Sequence, residues 1–137
     1  MPEQQQLADW MRARDLNHLW VAYTDFNGRL EGRDVPLDRV PEVAERGTNF
    51  AKANFNFTIR DVQVPSPYFG ADSGDVLAIP DASSAVVLPF QSETAFAFAI
   101  LHQEDGTTWP GCARAALRRA TAALAEAGLH AKVAFEP

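Results

Sequence analysis

The apolar positions of this chain change period several times, and each change marks a predicted element. In residues 2–14, Leu7, Trp10, Met11 and Arg14 recur at three- and four-residue spacing. That predicts an amphipathic helix, with Pro2 tolerated in its first turn. His18 to Thr24 is apolar at almost every position, and Asn27-Gly28 separates it from a second β-rich run, Arg29 to Val35. An Asn-Gly pair between such runs predicts a tight hairpin, because both residues accept positive φ. Pro36 stops the second strand, and Leu37 to Arg46 reads as a short helix closed by Gly47.

Further along, Asn54 to Ile59 alternates cleanly, with Phe55, Phe57 and Ile59 on one face and Asn54, Asn56 and Thr58 on the other. This predicts a half-buried strand whose polar face looks into a cleft. Pro65, Pro67 and Gly70 then break the chain into a loop. Val76 to Ile79 and Ala85 to Leu88 read as short strands, joined by a tight turn through Ala82 to Ser84. Ala95 to Leu101 reads as a central strand. Its Phe96, Phe98 and Ile100 are expected to fill a core, and Ala95, Ala97 and Ala99 to let another element approach closely. From Cys112 to Ala127 the period becomes helical, ended by Gly128, and Leu129 to Phe135 reads as a last strand. The predicted class is α+β, a mixed sheet on a short helix.

Composition narrows the chemistry. The chain has 137 residues, 47% hydrophobic and 22% charged, which suits one soluble core. A net charge of −6 without a basic stripe argues against nucleic acid as a partner. Arg114, Arg118 and Arg119 read as a solvated helix face. Cys112 is the single cysteine, so neither an intrachain disulfide nor a cysteine zinc cluster is available. The N-terminus lacks the features of a signal peptide, and no apolar run approaches the roughly 20 residues of a membrane helix. The expectation is a cytoplasmic protein without a membrane partner. His18, His102 and His130 share no ligand spacing, no phosphate loop or nucleophile elbow is present, and Asp72, Asp75 and Asp81 sit where aspartates bend or cap the chain.

Four stretches in order carry a more specific signal. Thr24-Asp25-Phe26-Asn27-Gly28-Arg29-Leu30-Glu31-Gly32-Arg33 resembles the D-x-x-G-x-x-(K/R)-G-(K/R) hairpin of the glutamine synthetase family. Asp72 to Asp81 resembles its DSDMVLVPD-type strand, and Trp109 to Arg119 the proline-led turn and helix that open its catalytic domain. Phe135-Glu136-Pro137 resembles the start of its P-E-x-E-F strand.

The resemblance implies an N-terminal helix over residues 1–15, a β-grasp domain over 16–103 and the truncated start of a catalytic domain over 104–137. It implies a full-length enzyme using ATP and Mg²⁺ or Mn²⁺ to form γ-glutamyl phosphate from glutamate, which an amine, usually ammonia, then converts to an amide. It also implies a homo-oligomeric ring, with each active site between one subunit's catalytic domain and its neighbour's β-grasp domain. By position, Glu136 would be the first carboxylate of the metal-binding strand, with the rest of the chemistry outside this segment. One departure stands out. Ammonia-using members carry F-D-G-S-S where this chain has Phe50-Ala51-Lys52-Ala53-Asn54, so Ala51 replaces the aspartate that binds and deprotonates ammonium. The expectation is a γ-glutamyl-amine ligase for a larger amine, with a pocket edged by Ala51, Lys52, Asn54 and Asn56, unless Asp61 or another acid takes the missing role. The alternative class is a non-catalytic β-grasp binding or assembly module. A full-length pseudoenzyme is a third. The segment alone is expected to be inactive, and to self-associate or be poorly soluble unless the Ala116 to Ala127 stripe finds another partner.

Overall fold

The computed structural model describes residues 4–70 and 72–134. A single turn at Gln4–Gln6 leads into α1 (Leu7–Arg12), which buries Leu7, Ala8 and Met11. Strands β1 (His18–Thr24) and β2 (Leu30–Pro36) pair antiparallel, with Thr24 opposite Leu30. A turn at Leu37–Arg39 continues into α2 (Val40–Arg46), ended by Gly47 at φ 79°. Then come β3 (Thr48–Ala51), a 3-10 helix at Lys52–Asn56, β4 (Asp75–Pro80), β5 (Val86–Val87), β6 (Thr94–His102) and α3 (Ala113–Glu126). The sheet order is β2-β1-β6-β4-β3, with β5 on β6. Among the described strands β1 and β6 run parallel, and the other pairs are antiparallel. The molecule is α+β with a mixed sheet.

Leu19, Val21 and Tyr23 of β1 join Ala95, Ala97 and Ala99 of β6, Val76 and Ala78 of β4, and the apolar stripes of α1 and α2 in one core. Each large side chain buried there contributes about 1.5–3 kcal/mol. The sheet curls around this core until distant strands meet. Tyr23 on β1 and Phe50 on β3 stand edge to face at 4.9 Å, and Arg33 of β2 lies 5.2 Å over the Phe50 ring.

Several expectations change. In β6 the alanines form the buried face, while Phe96, Phe98 and Ile100 are half-buried on the opposite one. Close approach favours small side chains, so it is the alanine face that receives the core. Asn54 to Ile59 is not a strand: β3 stops at Ala51, a 3-10 turn follows, and Ile59 is exposed. Residues 129–134 carry no regular structure, and no described strand pairs with them. α3 matches its helical period, and Gly128 at φ 73° follows it.

Candidate functional site

The β1–β2 loop is wider than an Asn-Gly turn. Asp25 N–H donates to the Arg29 carbonyl at 2.9 Å, leaving Phe26, Asn27 and Gly28 between them. Among the described residues of the loop only Gly28 takes positive φ, at 80°, where a side chain would be strained. Asp25 organises the turn from inside. Its side chain is buried, and Oδ1 accepts the backbone N–H groups of Asn27 and Arg29, each at 2.8 Å. Oδ2 lies 3.3 Å from Arg29 Nε. Burial pushes the Asp25 carboxyl up, but those backbone and side-chain donors outweigh it and hold it below the usual carboxylate value.

Arg29 also meets Asp61 at 2.6 Å, and Asn27 Nδ2 donates to the Phe57 carbonyl at 2.6 Å. The hairpin tip therefore pins the segment after the 3-10 helix. That segment folds on itself through a Phe57–Gln63 bridge and Thr58–Val62 pairing, with Asp61 at φ 57°.

Ala51 is exposed at the end of β3, and the register sets it opposite Asp75. Asp75 Oδ2 accepts from Asn49 Nδ2 at 3.0 Å. Lys52 is half-buried: its N–H donates to the Gly74 carbonyl at 3.1 Å and its Nζ to the Ser73 carbonyl at 3.2 Å. Asn54 is half-buried near the Tyr23 hydroxyl, which has no hydrogen-bond partner of good geometry. Burial pushes Tyr23 up to about 12, with Asn54 pulling the other way. Asn56 is buried, and its Nδ2 donates to the Phe69 carbonyl at 2.9 Å. Lys52 is thus held by Ser73 and Gly74 and Asn56 by Phe69, with Ala51 exposed opposite Asp75. Glu136, the expected metal carboxylate, lies outside the described residues.

Composition did not reveal the aromatic cluster behind this edge. Phe55 lies 5.1 Å from Tyr23, 5.2 Å from Phe26 and 4.5 Å from Trp109. Trp109 is buried and also meets Phe69 at 5.8 Å. Gly111 permits this, since a Cβ there would sit 2.6 Å from the Trp109 ring. The tryptophan of the loop before α3 therefore closes the cluster, a role no local sequence signal carries.

Arg114 departs from the solvated face expected of it. It pairs with Asp81 at 2.7 Å and lies 5.1 Å over Phe98; Arg118 reaches the same carboxylate at 3.6 Å. Burial raises the Asp81 carboxyl, but hydrogen bonds from Ser83 and Arg114 outweigh it and leave it low. His18 pairs with Asp34 at 3.0 Å, and His102 Nδ1 lies 3.0 Å from the Gly106 carbonyl. Among the described residues no group of three or more His, Cys, Asp or Glu side chains is placed to hold a metal. These residues therefore do not by themselves fit a divalent-metal site. No described helix is long and apolar enough to cross a membrane.

Fold and site together describe a curled mixed sheet with a polar and aromatic edge at the hairpin end. Known proteins resemble the chain in sequence and in fold. The chain is 28% identical to a glutamine synthetase of Rhizobium leguminosarum bv. phaseoli over 96% of its own length. It is 26% identical to a gamma-glutamylanilide synthase of Acinetobacter sp over 88%. A solved structure described as a GmaS/ADP complex superposes with TM-score 0.72 at 27% identity, covering 90% of this chain and 26% of that one. No protein-family model matches. The chain spans about a quarter of the length of the curated relatives, 28% and 27% respectively. Its similarity is to proteins of the glutamine synthetase type, as the four sequence stretches indicated.

Proposed function

We propose that this chain is the N-terminal part of an ATP-dependent glutamate–amine ligase that works through γ-glutamyl phosphate. The observation that carries the reading is similarity across 96% of the chain to a glutamine synthetase, joined by a relative named for an anilide product. In this reading residues 16–103 are a β-grasp domain, preceded by a helix over 1–15, and 104–137 open the catalytic domain. ATP and Mg²⁺ or Mn²⁺ would be held almost wholly outside the described residues, with Glu136 the first metal carboxylate. The nucleotide part draws support from the similar solved structure, which is described as an ADP complex. The protein would be cytoplasmic and assemble as a ring, with this domain's hairpin end completing a neighbour's active site.

The acceptor would be an amine other than ammonia. Ala51 puts a methyl group where ammonia-using members have a carboxylate. Asp61 is engaged by Arg29, so it is a poor replacement. Asp75, opposite Ala51, has one oxygen taken by Asn49. An ammonium ion at this edge would therefore meet Asp75, a carboxylate already shared with Asn49, in place of one carried by residue 51 itself.

The test is glutamate-dependent ADP release by the full-length gene product across a panel of amines. An organic amine should outperform ammonia. Ammonia preferred over every organic amine would contradict the acceptor assignment, and no glutamate-dependent release with any amine would contradict the ligase.

A further inference from the structure

Between the hairpin tip, the 3-10 helix and the 57–69 loop lies a groove of about 320 Å³. That is at the small end of the range for small-molecule sites. Phe26, Phe55, Phe57, Tyr68 and Phe69 supply aromatic walls, and none of the lining residues is charged. Asn56, one of the residues assigned to the amine edge, lines it too. Its Nδ2 is engaged by the Phe69 carbonyl, and its Oδ1 accepts no hydrogen bond among the described residues. Asn27 lines it as well, with its Nδ2 held by the Phe57 carbonyl. The groove thus offers ring faces and the amide oxygens of Asn27 and Asn56, and no carboxylate.

We infer that the acceptor is a weakly basic aromatic amine, its ring between Phe26 and Tyr68 and its amino group donating to Asn56 Oδ1. The inference rests on the ligase reading above and specifies its acceptor. An alkylamine is protonated near neutral pH and must lose a proton before it can attack. Ring faces would attract that cation, but such attraction favours keeping the charge, and the groove has no base to remove it. In an arylamine the lone pair is delocalised into the ring, so the amine is neutral at the same pH and arrives as a nucleophile. The nitrogen lone pair forms the C–N bond to the γ-carbonyl of activated glutamate. Phosphate leaves with the electrons of the C–O bond that breaks, and the surplus N–H proton passes to phosphate or water.

Phe26 and Tyr68 are 57% and 88% exposed, so truncating them leaves the core intact. The test compares aniline, cyclohexylamine and ammonium in two measurements. First, NMR titration of the 137-residue chain should show shifts at Phe26, Asn56 and Tyr68 with aniline, at least tenfold tighter than with cyclohexylamine, and weakened about fivefold or more in Phe26→Ala and Tyr68→Ala. Second, in the full-length enzyme aniline should give the highest kcat/KM for glutamate-dependent ADP release, with KM raised in both variants. Cyclohexylamine binding as tightly as aniline, or variants that leave aniline binding unchanged, overturns the inference. ADP release favouring ammonium or cyclohexylamine overturns it while leaving the ligase reading standing. Absence of release with every amine removes the ligase reading itself.

Discussion

At the scale of single residues, Asp25 does most to shape the site, and its importance was only half legible. The D-x-x-G pattern placed it at a turn, yet burial of a carboxylate that accepts two backbone N–H groups is a three-dimensional fact. Asp25→Ala leaves those donors without their acceptor, and should cost about 2 kcal/mol in chemical denaturation. Acid should have a related effect. The Asp25 carboxyl is held below its ordinary value of 3.8, so its stabilising contribution is present above that pH and is lost as pH falls through the lower folded-state value. Amide exchange in residues 25–29 should therefore rise below pH ~4 in the parent and change less in Asp25→Asn. An unchanged acid profile in the parent would contradict this. Ala51 is a reading from the sequence alone, to which the structure adds an exposed position opposite Asp75. Lys52 and Asn56 were named as candidates, but the ties of Lys52 to Ser73 and Gly74 and of Asn56 to Phe69 carry no sequence signal.

At the scale of elements, periodicity located β1, β2, β4, β6 and the three described α-helices, and failed where one pattern has two physical solutions. The Asn/Phe alternation of 54–59 suits a strand only if a neighbouring edge is free to pair. β3 ends its pairing with β4 at Ala51 and Asp75, so the chain turns instead and buries Phe55 and Asn56 side by side. The last predicted strand failed for the same reason, lacking a described partner. α3 is fastened differently. Only Ala115 along it is fully buried, and the Arg114–Asp81 pair with Arg114 over Phe98 ties its first turn to the sheet. Asp81→Ala should raise amide exchange throughout α3 while leaving β1 and β6 protected. Uniform destabilisation, or no change in α3, would show that the helix is held by something else.

At the scale of the whole molecule, α3 carries an exposed apolar stripe. Leu117 is 63% exposed, beside the alanines of the helical repeat. Such a stripe favours association with another surface. The 137-residue chain should sediment as dimers or larger species, and Leu117→Glu with Leu124→Glu should return it to monomer. A monomeric parent at high concentration would contradict this. The ligase reading makes a sharper claim, that the Ala51 to Asn56 edge receives the acceptor amine. Its most direct test is the ratio of kcat/KM for ammonium to that for the best organic amine, in the full-length enzyme and in Ala51→Asp. Restoring a carboxylate should move that ratio toward ammonium by about tenfold or more. A ratio unchanged by the substitution would mean that the amine is received elsewhere.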